Sequence, residues 1–423
     1  MANIIYPFSI NTAVAGDGIY GSLEVDGDLI FDYKKYCNLS YINKLLKNNT
    51  IYPRFRIFMC NPDDSYAYQI PSRDIVSGGS YSENYQNGQR RSLSFTLLNN
   101  DGKYTPGVNS IWANTKIALE AGLKIPDFDG VLWFKKGIFI VTKVSPSRSS
   151  DNATVNVECG DKFSIFESKR GTLTETTEIP EGISIQDIIN DILGTDAGDG
   201  YVFDSRPIVY SPAFKGRITP TKLVGSSGST WGEILMQLCE MLSAEMFYNA
   251  EGRLVFVPLV ETIDDSSKPV IYDFVDKNGD FQNENFSFDM GSFINKIVVV
   301  GASINSRLVT AEAINDDPSS PICFQKIGYR IASPINDTNI TTDTLAQERA
   351  DYELRKAILA TASLNSDTFF NPSLSVNNLI TYTDSFFSLK RERLLLQSLS
   401  FSLDYSGLMS ITACNIKNLP FVN

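Results

Sequence analysis

Alternating apolar and polar residues mark residues 51–170 as a run of short β-strands. The stretch LSFTL at residues 93–97 has the period of a half-buried strand, with every second residue apolar. Apolar strands are also predicted over residues 133–144 and 154–159, and the polar loop SPSRSSDN joins them. We therefore expect this block to fold as one antiparallel set of strands.

Two later segments have the sequence signals of capped α-helices. Ser184 and Asp187 form a capping box in front of an apolar stripe at helical spacing. Thr230 and Glu233 form a second capping box, and its helix leads into two apolar arms joined by a turn at residues 249–252. A helix followed by a β-hairpin is thus expected in this part of the chain.

The rest of the chain combines further strands with one helix. The run NKIVVVGASI predicts a buried strand, whereas residues 343–358 have helical spacing and a face of small residues. The chain finishes with two strand-forming stretches, SLSVNNLITYTD and LLLQSLSFSLDYSGLMSITACNIKNLP. The predicted order is therefore strands, helix and hairpin, strand, helix, strands.

The last block of strands looks like a loose copy of the first. SLSF at residues 92–95 parallels SLSV at residues 373–376. FIVTKV at residues 139–144 parallels LLLQSL at residues 394–399, and a cysteine follows fifteen residues later in both cases. These matches suggest an internal duplication, and chance recurrence of short apolar strands is the alternative.

The phase of the alternation bears on that duplication. In the first copy, Val155 and Val157 alternate in phase with Cys159. In the second copy, Ile411 alternates out of phase with Cys414. An ungapped alignment of the two copies would place the apolar side chains of one strand on the solvent face of the sheet. A shift of that strand by one residue would return them to the core face.

Composition narrows the chemistry open to the chain. Its 423 residues are 43% hydrophobic and 20% charged, which is the balance of an ordinary folded protein. The absence of histidine excludes Ser-His-Asp and Cys-His catalysis and the commonest zinc sites. A net charge of −12 argues against nucleic-acid binding, which draws its affinity from clustered Lys and Arg.

Cysteine spacing and the N-terminus indicate the compartment. The six cysteines are scattered without a CxxC pair, so we expect free thiols, not a zinc ribbon or a disulfide framework. The N-terminus lacks the basic lead and apolar core of a secretory signal, and no run approaches the roughly 20 apolar residues of a membrane span. We expect no membrane span and a protein made in a cytoplasm.

Several acidic or glycine-rich stretches imitate functional motifs. DKNGD at residues 276–280 begins like a calcium loop, but its glycine comes at the fourth position and Ser287 replaces the bidentate glutamate. A plain turn is expected there and in DAGDG at residues 196–200. GSSGST at residues 225–230 lacks the lysine of a phosphate-binding loop and is interpreted as a helix entry.

Carboxylate pairs are the remaining candidates for catalysis. Glu158 with Asp161, and Glu175 with Glu178, have the residue types that flank a glycosidic bond in hydrolases. Among 49 acidic residues such pairs arise by chance. We therefore assign no catalytic, cofactor-binding or metal-binding residue, expect no cofactor, and expect that the protein is not an enzyme.

The most specific stretches resemble a known family. The chain resembles bacteriophage tail and baseplate hub proteins, and the related hub part of type VI secretion spike proteins. The resemblance is most specific in four stretches: LSFTLLNNDGKYTP, FKKGIFIVTKV, WGEILMQLCEMLSAEMFYNAEGRLVFVP and ERADYELRK. The resemblance covers about residues 51–423. It implies a β-rich α+β fold with two similar antiparallel β-barrel (tube) domains, with a helix-and-hairpin domain and a further helix between them.

This resemblance divides the chain into four parts. They are an N-terminal arm or edge strands (1–50), a first β-barrel tube domain (51–170), a helix and hairpin domain (171–270), and a second β-barrel tube domain with an inserted helix (271–423). The first part matches nothing in the family. Any role for it has to come from the structure.

The family also implies a structural role. Such hubs are homotrimers that adapt a sixfold tail tube to a threefold central spike and form part of the DNA-ejection channel. The implied partners are the tail tube or distal tail protein, the central spike or needle protein, the tape-measure protein and other baseplate proteins. The implied location is the tail tip of a virion assembled in the host bacterial cytoplasm. We further expect part of the −12 charge to line the channel and repel DNA.

Two other functions stay open from the sequence. The 19 Tyr, 26 Phe and 3 Trp include enough aromatic rings to stack sugars, which makes a host-receptor (carbohydrate) binding module of the tail tip the runner-up. A cell-wall hydrolase is the third possibility. Glycan binding and zymography, respectively, would detect them.

Overall fold

Strands make up most of the regular structure, and most of them belong to one large, predominantly antiparallel sheet. The computed structural model describes residues 3–14, 17–26, 33–48, 51–107, 111–126, 130–196, 198, 200–258, 268–304, 306–359, 362–387 and 389–415. The β-rich α+β class expected from the sequence is confirmed. The two strand-rich regions are joined in a single sheet of 15 strands.

The first fifty residues add a hairpin and a helix to that sheet. Strands β1 (Asn3–Val14) and β2 (Asp17–Asp26) pair antiparallel, and residues 21–25 of β2 also pair with residues 130–134. Helix α1 (Leu39–Asn48) packs its apolar face on the main core. This segment therefore belongs to the same sheet as the strands that follow it.

Seven strands form the first strand-rich region. They are β3 (Pro53–Cys60), β4 (Tyr66–Gln69), β5 (Ile75–Asn84), β6 (Arg91–Leu98), β7 (Lys116–Ile125), β8 (Gly130–Arg148) and β9 (Ala153–Asp161). They lie in the order β5-β6-β9-β8-β7-β3-β4. Leu93, Phe95 and Leu97 of β6 are buried and the residues between them are not, as the alternation predicted. Their core also takes side chains from the last strands of the chain.

The middle region has a core of its own. Its elements are α2 (Ser164–Glu167), β10 (Thr177–Ile179), α3 (Ile185–Leu193), β11 (Val209–Tyr210), β12 (Leu223–Gly225), α4 (Trp231–Met241), β13 (Ala244–Tyr248) and β14 (Leu254–Pro258). Ser184 accepts a hydrogen bond from the N–H of Asp187. Thr230 accepts one from Glu233, so both predicted caps are present. The predicted hairpin is β13 and β14, with its turn at residues 249–252.

The last region mixes a small sheet with further strands of the large one. Its elements are β15 (Val270–Val275), β16 (Phe281–Phe288), β17 (Lys296–Ile304), β18 (Arg307–Ile314), α5 (Phe324–Ile327), β19 (Ile335–Asn336), α6 (Asp343–Leu359), β20 (Ala362–Phe369), β21 (Leu379–Asp384), β22 (Leu389–Leu403) and β23 (Leu408–Asn415). Strands β17, β18 and β19 form a separate sheet. The predicted helix is α6, and it packs on that sheet through buried Ala346, Ala350 and Leu354.

Strand β17 differs from its prediction in one respect. The sequence run NKIVVVGASI indicated a fully buried strand, but only alternate residues of β17 are buried. The reason is that α6 contributes to the core on one face of this small sheet. β17 is thus a half-buried strand.

Five strands of the last region repeat the arrangement of five strands of the first. The order β5-β6-β9-β8-β7 has its counterpart in β16-β20-β23-β22-β21. We name these sets unit 1 (β5 to β9) and unit 2 (β16 with β20 to β23). A bulge follows Val141 in β8, and a bulge follows Leu396 at the corresponding place in β22. An irregularity at the same point of both long strands supports a duplication.

The pairing register resolves the phase problem noted in the sequence. Val141 pairs with Cys159, but its counterpart Leu396 pairs with Ala413, one residue before Cys414. Strand β23 is therefore shifted by one residue relative to β9, as the phase of the alternation required. With that shift, the buried residues of β23 occupy the positions of the buried residues of β9.

One proposed match in the duplication was wrong. Residues 373–376 (SLSV) lie in the loop between β20 and β21, not in a strand. The counterpart of β6 is β20, because Leu93 pairs with Cys159 and Leu364 with Ala413. The segment that matches SLSF is therefore SLNS at residues 363–366.

A buried lysine connects the first region to the middle one. Lys162 Nζ lies 2.6 Å from a carboxylate oxygen of Asp64 and 2.6 Å from one of Asp204. It also donates a hydrogen bond to the carbonyl of Gly252 at 2.9 Å. All three charged side chains are buried, so the cation stabilises both carboxylates, and Lys116 Nζ also pairs with Asp64 at 2.6 Å.

Removing that cation tests the connection. We expect Lys162→Met to lower the free energy of unfolding by about 3 kcal/mol, because it removes a buried cation that pairs with two buried carboxylates. Lys222→Met is the matched control, since Lys222 forms an exposed pair with Glu178 and its loss costs at most about 1 kcal/mol. Chemical denaturation measures both variants, and equal losses would contradict the prediction.

A second buried lysine ties the two units together. Lys136 of β8 is fully buried, and its Nζ donates a hydrogen bond to the carbonyl of Leu374, in the loop before β21, at 2.7 Å. Burial lowers the pKa of Lys136 from 10.5 to about 8. The folded chain therefore gives up this proton at a lower pH than the unfolded chain.

This pKa difference predicts a pH dependence of stability. Between pH 8 and 10.5 the unfolded chain retains the Lys136 proton that the folded chain has lost, so the free energy of unfolding rises with pH. Lys136→Met lacks this contribution. We expect the free energy of unfolding of the wild type, minus that of the variant, to increase across this range. A difference that stays constant in denaturation at several pH values would refute the assignment.

Candidate functional site: a polar sheet face and two open strand edges

One face of units 1 and 2 consists of short polar side chains. Alternation places the apolar side chains in the core and leaves a row of hydroxyl and amide groups on the other face. These exposed or half-buried residues are Ser80, Ser82, Ser92, Ser94, Thr96, Asn156, Asn283, Asn285, Ser287, Ser363, Asn365, Ser398, Ser400, Ser402, Ser410 and Thr412. We name this surface the polar face.

Side-chain hydrogen bonds run across the strands of the polar face. Ser82 and Ser92 hydroxyls are 2.7 Å apart in unit 1, and Ser287 and Ser363 hydroxyls are 3.1 Å apart in unit 2. The second pair is the counterpart of the first, because Tyr81 pairs with Leu93 as Phe286 pairs with Leu364. The two units therefore present the same chemistry at equivalent positions.

The polar face has few charges. The residues that define it are all uncharged, and the charged residues Lys143, Glu158 and Asp367 lie among them on the same strands. Lys143 and Glu158 form an ion pair at 2.9 Å. Hydrogen bonds from Ser410 and Asn283 lower the pKa of Asp367 below its usual value. The surface is thus nearly neutral, although the chain as a whole has a net charge of −12.

The two units meet at a strand junction within the chain. Residues 398–403 of β22 pair antiparallel with residues 79–84 of β5. On the core side, the rings of Phe401 and Tyr81 stack with centroids 4.8 Å apart. At the end of the ladder, the Tyr85 N–H donates to the carbonyl of Gln397 at 2.7 Å. We name this contact the internal junction.

Units 1 and 2 each have a strand edge without a partner in the described structure, as do a few strands outside them, such as β4. Strand β16 pairs with β20 on one side, and no described strand pairs with its other side. Strand β8 pairs with β7 up to residue 140, and the Val141 N–H still donates to the carbonyl of Thr115. Beyond it, residues 143–148 pair with β9 alone. Unpaired backbone groups on such edges are a template for adding another strand.

The structure explains the motifs that imitate ligand sites. Asp276 and Asp280 accept hydrogen bonds from nearby N–H groups, and Gly279 has a left-handed conformation (φ 70°), so this stretch is the predicted turn. Residues 225–230 lead into α4 through the Thr230 cap, as predicted. In DAGDG, Asp196 accepts hydrogen bonds from the N–H groups of residues 198 and 200.

The structure does not bring the candidate carboxylate pairs together as an acid and a base. Glu158 is on the polar face, whereas Asp161 is buried and accepts hydrogen bonds from the backbone N–H groups of Arg90 and Arg91. Burial raises the pKa of Asp161 to about 6. Glu178 pairs with Lys222 on the surface. Asp161 thus orders the start of β6, a role that its sequence context did not indicate.

Metal and membrane chemistry receive no support from the part of the chain that the structure describes. It contains no group of three or more Cys, Asp or Glu side chains arranged to hold a metal ion. No described helix has the length and apolar character that crossing a membrane requires. The described cysteines have free thiols, and burial raises the pKa of Cys37 to about 11 and that of Cys60 to about 12.

Several solved structures resemble this fold. The 43 kDa tail protein of prophage MuSo2 from Shewanella oneidensis has a TM-score of 0.54 at 13% identity, covering 86% of this chain and 99% of that one. A tail protein from Neisseria meningitidis MC58 has a TM-score of 0.57 at 9% identity, with coverages of 86% and 99%. A chain of the Francisella PdpA–VgrG complex has a TM-score of 0.52 at 12% identity, covering 90% of this chain and 56% of that one.

Sequence comparisons give no match. No protein-family model matches the chain, and neither does any curated protein. At identities near 10% the structural likeness establishes the fold alone. The resemblance to phage tail hub proteins seen in the sequence is therefore confirmed at the level of fold, which this chain shares with phage tail proteins.

Proposed function

We propose that this protein is a structural hub of a phage tail tip or baseplate. As a homotrimer it adapts the sixfold tail tube to the threefold central spike and forms part of the DNA-ejection channel. The observation that supports this most directly is the pair of equivalent units in one continuous sheet. Three chains with two units each present six similar units around a ring.

The polar face is the surface that we assign to the channel. Its hydroxyl and amide groups are neutral and bind one another across strands, so they offer no cations to DNA phosphates. This assignment differs from the acidic lumen expected from the net charge, because the residues that define the polar face are uncharged. DNA slides past such a wall because its side chains are mainly neutral and Lys143 is paired with Glu158, so strong repulsion is not needed.

The proposed partners follow from this role. They are the tail tube or distal tail protein, the central spike or needle protein, the tape-measure protein and other baseplate proteins of the same virion. We propose that the hub performs no catalysis, since Glu158 and Glu178 form ion pairs and Asp161 accepts hydrogen bonds from backbone N–H groups. Its place is the tail tip, assembled in the cytoplasm of the host bacterium.

Oligomeric state is the first test of the hub. We expect light scattering at several concentrations to give three times the chain mass of 47.0 kDa, because a ring of six units needs three chains with two units each. A persistent monomer that binds a glycan array would favour the runner-up, a carbohydrate-binding module. Activity in zymography would favour a hydrolase and contradict the hub.

Added cations on the polar face test its neutrality. We expect the wild type to show no binding to double-stranded DNA at physiological salt, and Ser82→Lys/Ser400→Lys to acquire salt-sensitive binding, because lysines on one surface attract phosphates. Ser226→Lys/Ser227→Lys, in the exposed loop before α4, is the control with the same charge change. Gel-shift assays measure all three proteins. Equal binding by both variants would show that position on the polar face does not matter.

A further inference from the structure

We infer that each copy of the chain joins the next by repeating its internal junction: the open edge of β16 adds to residues 143–148 of β8 in a second copy. This inference rests on the proposed hub. It goes further by stating which residues meet and in what register. Its template is a contact already present in the chain, where β5 of unit 1 pairs with β22 of unit 2.

The equivalence of the units determines which strands would meet. The counterpart of β5 is β16, and both are the first strand of their unit. The counterpart of residues 398–403 in β22 is residues 143–148 in β8, because both segments directly follow the matching bulges. Each strand of the internal junction therefore has an unpaired counterpart in the other unit. The counterpart of β5 is β16, and the counterpart of residues 398–403 is residues 143–148.

Transferring the register of the internal junction gives six residue pairs. Ser398 faces Asn84 and Leu403 faces Gly79 in the template. The pairs expected between copies are Lys143–Asp289, Val144–Phe288, Ser145–Ser287, Pro146–Phe286, Ser147–Asn285 and Arg148–Glu284. This list follows from the register alone, without regard to residue type.

The chemistry of these pairs is complementary at every position. Lys143 meets Asp289 at one end of the ladder, and Arg148 meets Glu284 at the other, so both charged pairs have opposite signs. Of the four middle pairs, Val144–Phe288 and Pro146–Phe286 are apolar, and Ser145–Ser287 and Ser147–Asn285 are neutral and polar. A shift by one residue would place Lys143 opposite an uncharged residue and mix the two faces. Complementarity therefore singles out the register that the template provides.

The surroundings of Glu284 agree with an incoming cation. Burial raises the pKa of Glu284, and so does the nearby carboxylate of Asp384. A guanidinium from Arg148 of a second copy would offset both effects. Within one chain, Arg148 is exposed at the end of β8.

A cavity lies where the junction would end. In the template, the Tyr85 N–H reaches the carbonyl of Gln397. Their counterparts are Met290, which is 71% exposed, and Thr142. Beside Thr142 is a cavity of about 400 Å³ lined by Pro106, Trp112 and Ile140 among others. We place the Met290 side chain of one copy in this cavity of the next, where it covers Trp112, itself 51% exposed.

The junction is heterologous, since different edges of each chain meet. Such a contact closes into a ring when the rotation between copies allows it. The internal junction already sets the rotation from one unit to the next, and repeating it between copies continues the same ring. Pro146 lacks a backbone N–H, so the proposed ladder between copies has one hydrogen-bond donor fewer than the internal junction.

Cysteine cross-linking tests the register. Paired residues of antiparallel strands have Cα atoms about 4.5–5.5 Å apart, which suits a disulfide. We expect Ser145→Cys/Ser287→Cys to form covalent dimers and closed trimers on mild oxidation. The control Ser147→Cys/Ser287→Cys moves one cysteine by two residues to a diagonal distance beyond easy bridging. Non-reducing electrophoresis reads the bands, and equal cross-linking of both variants would overturn the register.

A charge exchange tests the contact energy without covalent chemistry. We expect Asp289→Lys to weaken trimerisation at least about tenfold, because it places like charges at the end of the ladder. Lys143→Asp/Asp289→Lys restores the opposite signs and should recover most of the affinity. Lys222→Asp, on the middle region, is the control and should leave the mass unchanged. Failure of the double variant to recover would count against the pair.

Failure of the junction and failure of the hub give different results. A wild type that is trimeric by light scattering, with no cross-link at 145 and 287, would overturn the junction and leave the hub standing. A wild type that is monomeric at every concentration and gives no cross-link would overturn both. Long ladders of covalent oligomers without a closed trimer would retain the strand contact and reject the ring.

Discussion

The pairing of β22 with β5 is the contact on which the rest of the architecture depends. It joins strands from opposite ends of the chain, and it merges the apolar sides of both units into one core. The stacked rings of Phe401 and Tyr81 lie at its centre. Without this ladder each unit would expose a strand edge and half of a core, which proteins avoid because such edges aggregate.

The alternation of apolar and polar residues along the strands gives the sheet one face that packs in the core and one polar face. Apolar residues at every second position provide the burial that stabilises the fold, and the positions between them are free to vary. Here many of those positions in both units carry neutral hydroxyl or amide groups. The charges are placed elsewhere: the strongest ionic contacts, such as Lys162 with Asp64 and Asp204, are buried between regions. The chain thus separates the groups that connect its regions from the groups that we assign to the channel wall of the proposed hub.

Local signals in the sequence were sufficient for local structure. The capping residues Ser184 and Thr230 and the LSFTL alternation predicted two helices and a strand correctly, because capping and alternation depend on neighbours within a few residues. The SLSV match was wrong because four residues cannot report whether a segment pairs with another strand. The roles of Lys162 and Lys136 were not predictable, since their partners are distant in the sequence and only the fold brings them together. The junction edges likewise emerged only from the pairing register.

The small sheet of β17, β18 and β19 with α6 is inserted between β16 and β20, and unit 1 has no element of this kind between β5 and β6. Two units in one polypeptide can diverge independently, so in the proposed ring an addition to one of them would appear at every other position. A sixfold ring of this kind would present a threefold pattern of surfaces to a threefold partner. Fusion would also reduce the number of encounters between chains during assembly, because half of the contacts form within a chain, where the effective concentration is high. In the proposed hub, the duplication would therefore affect the rate of assembly as well as the symmetry of the product.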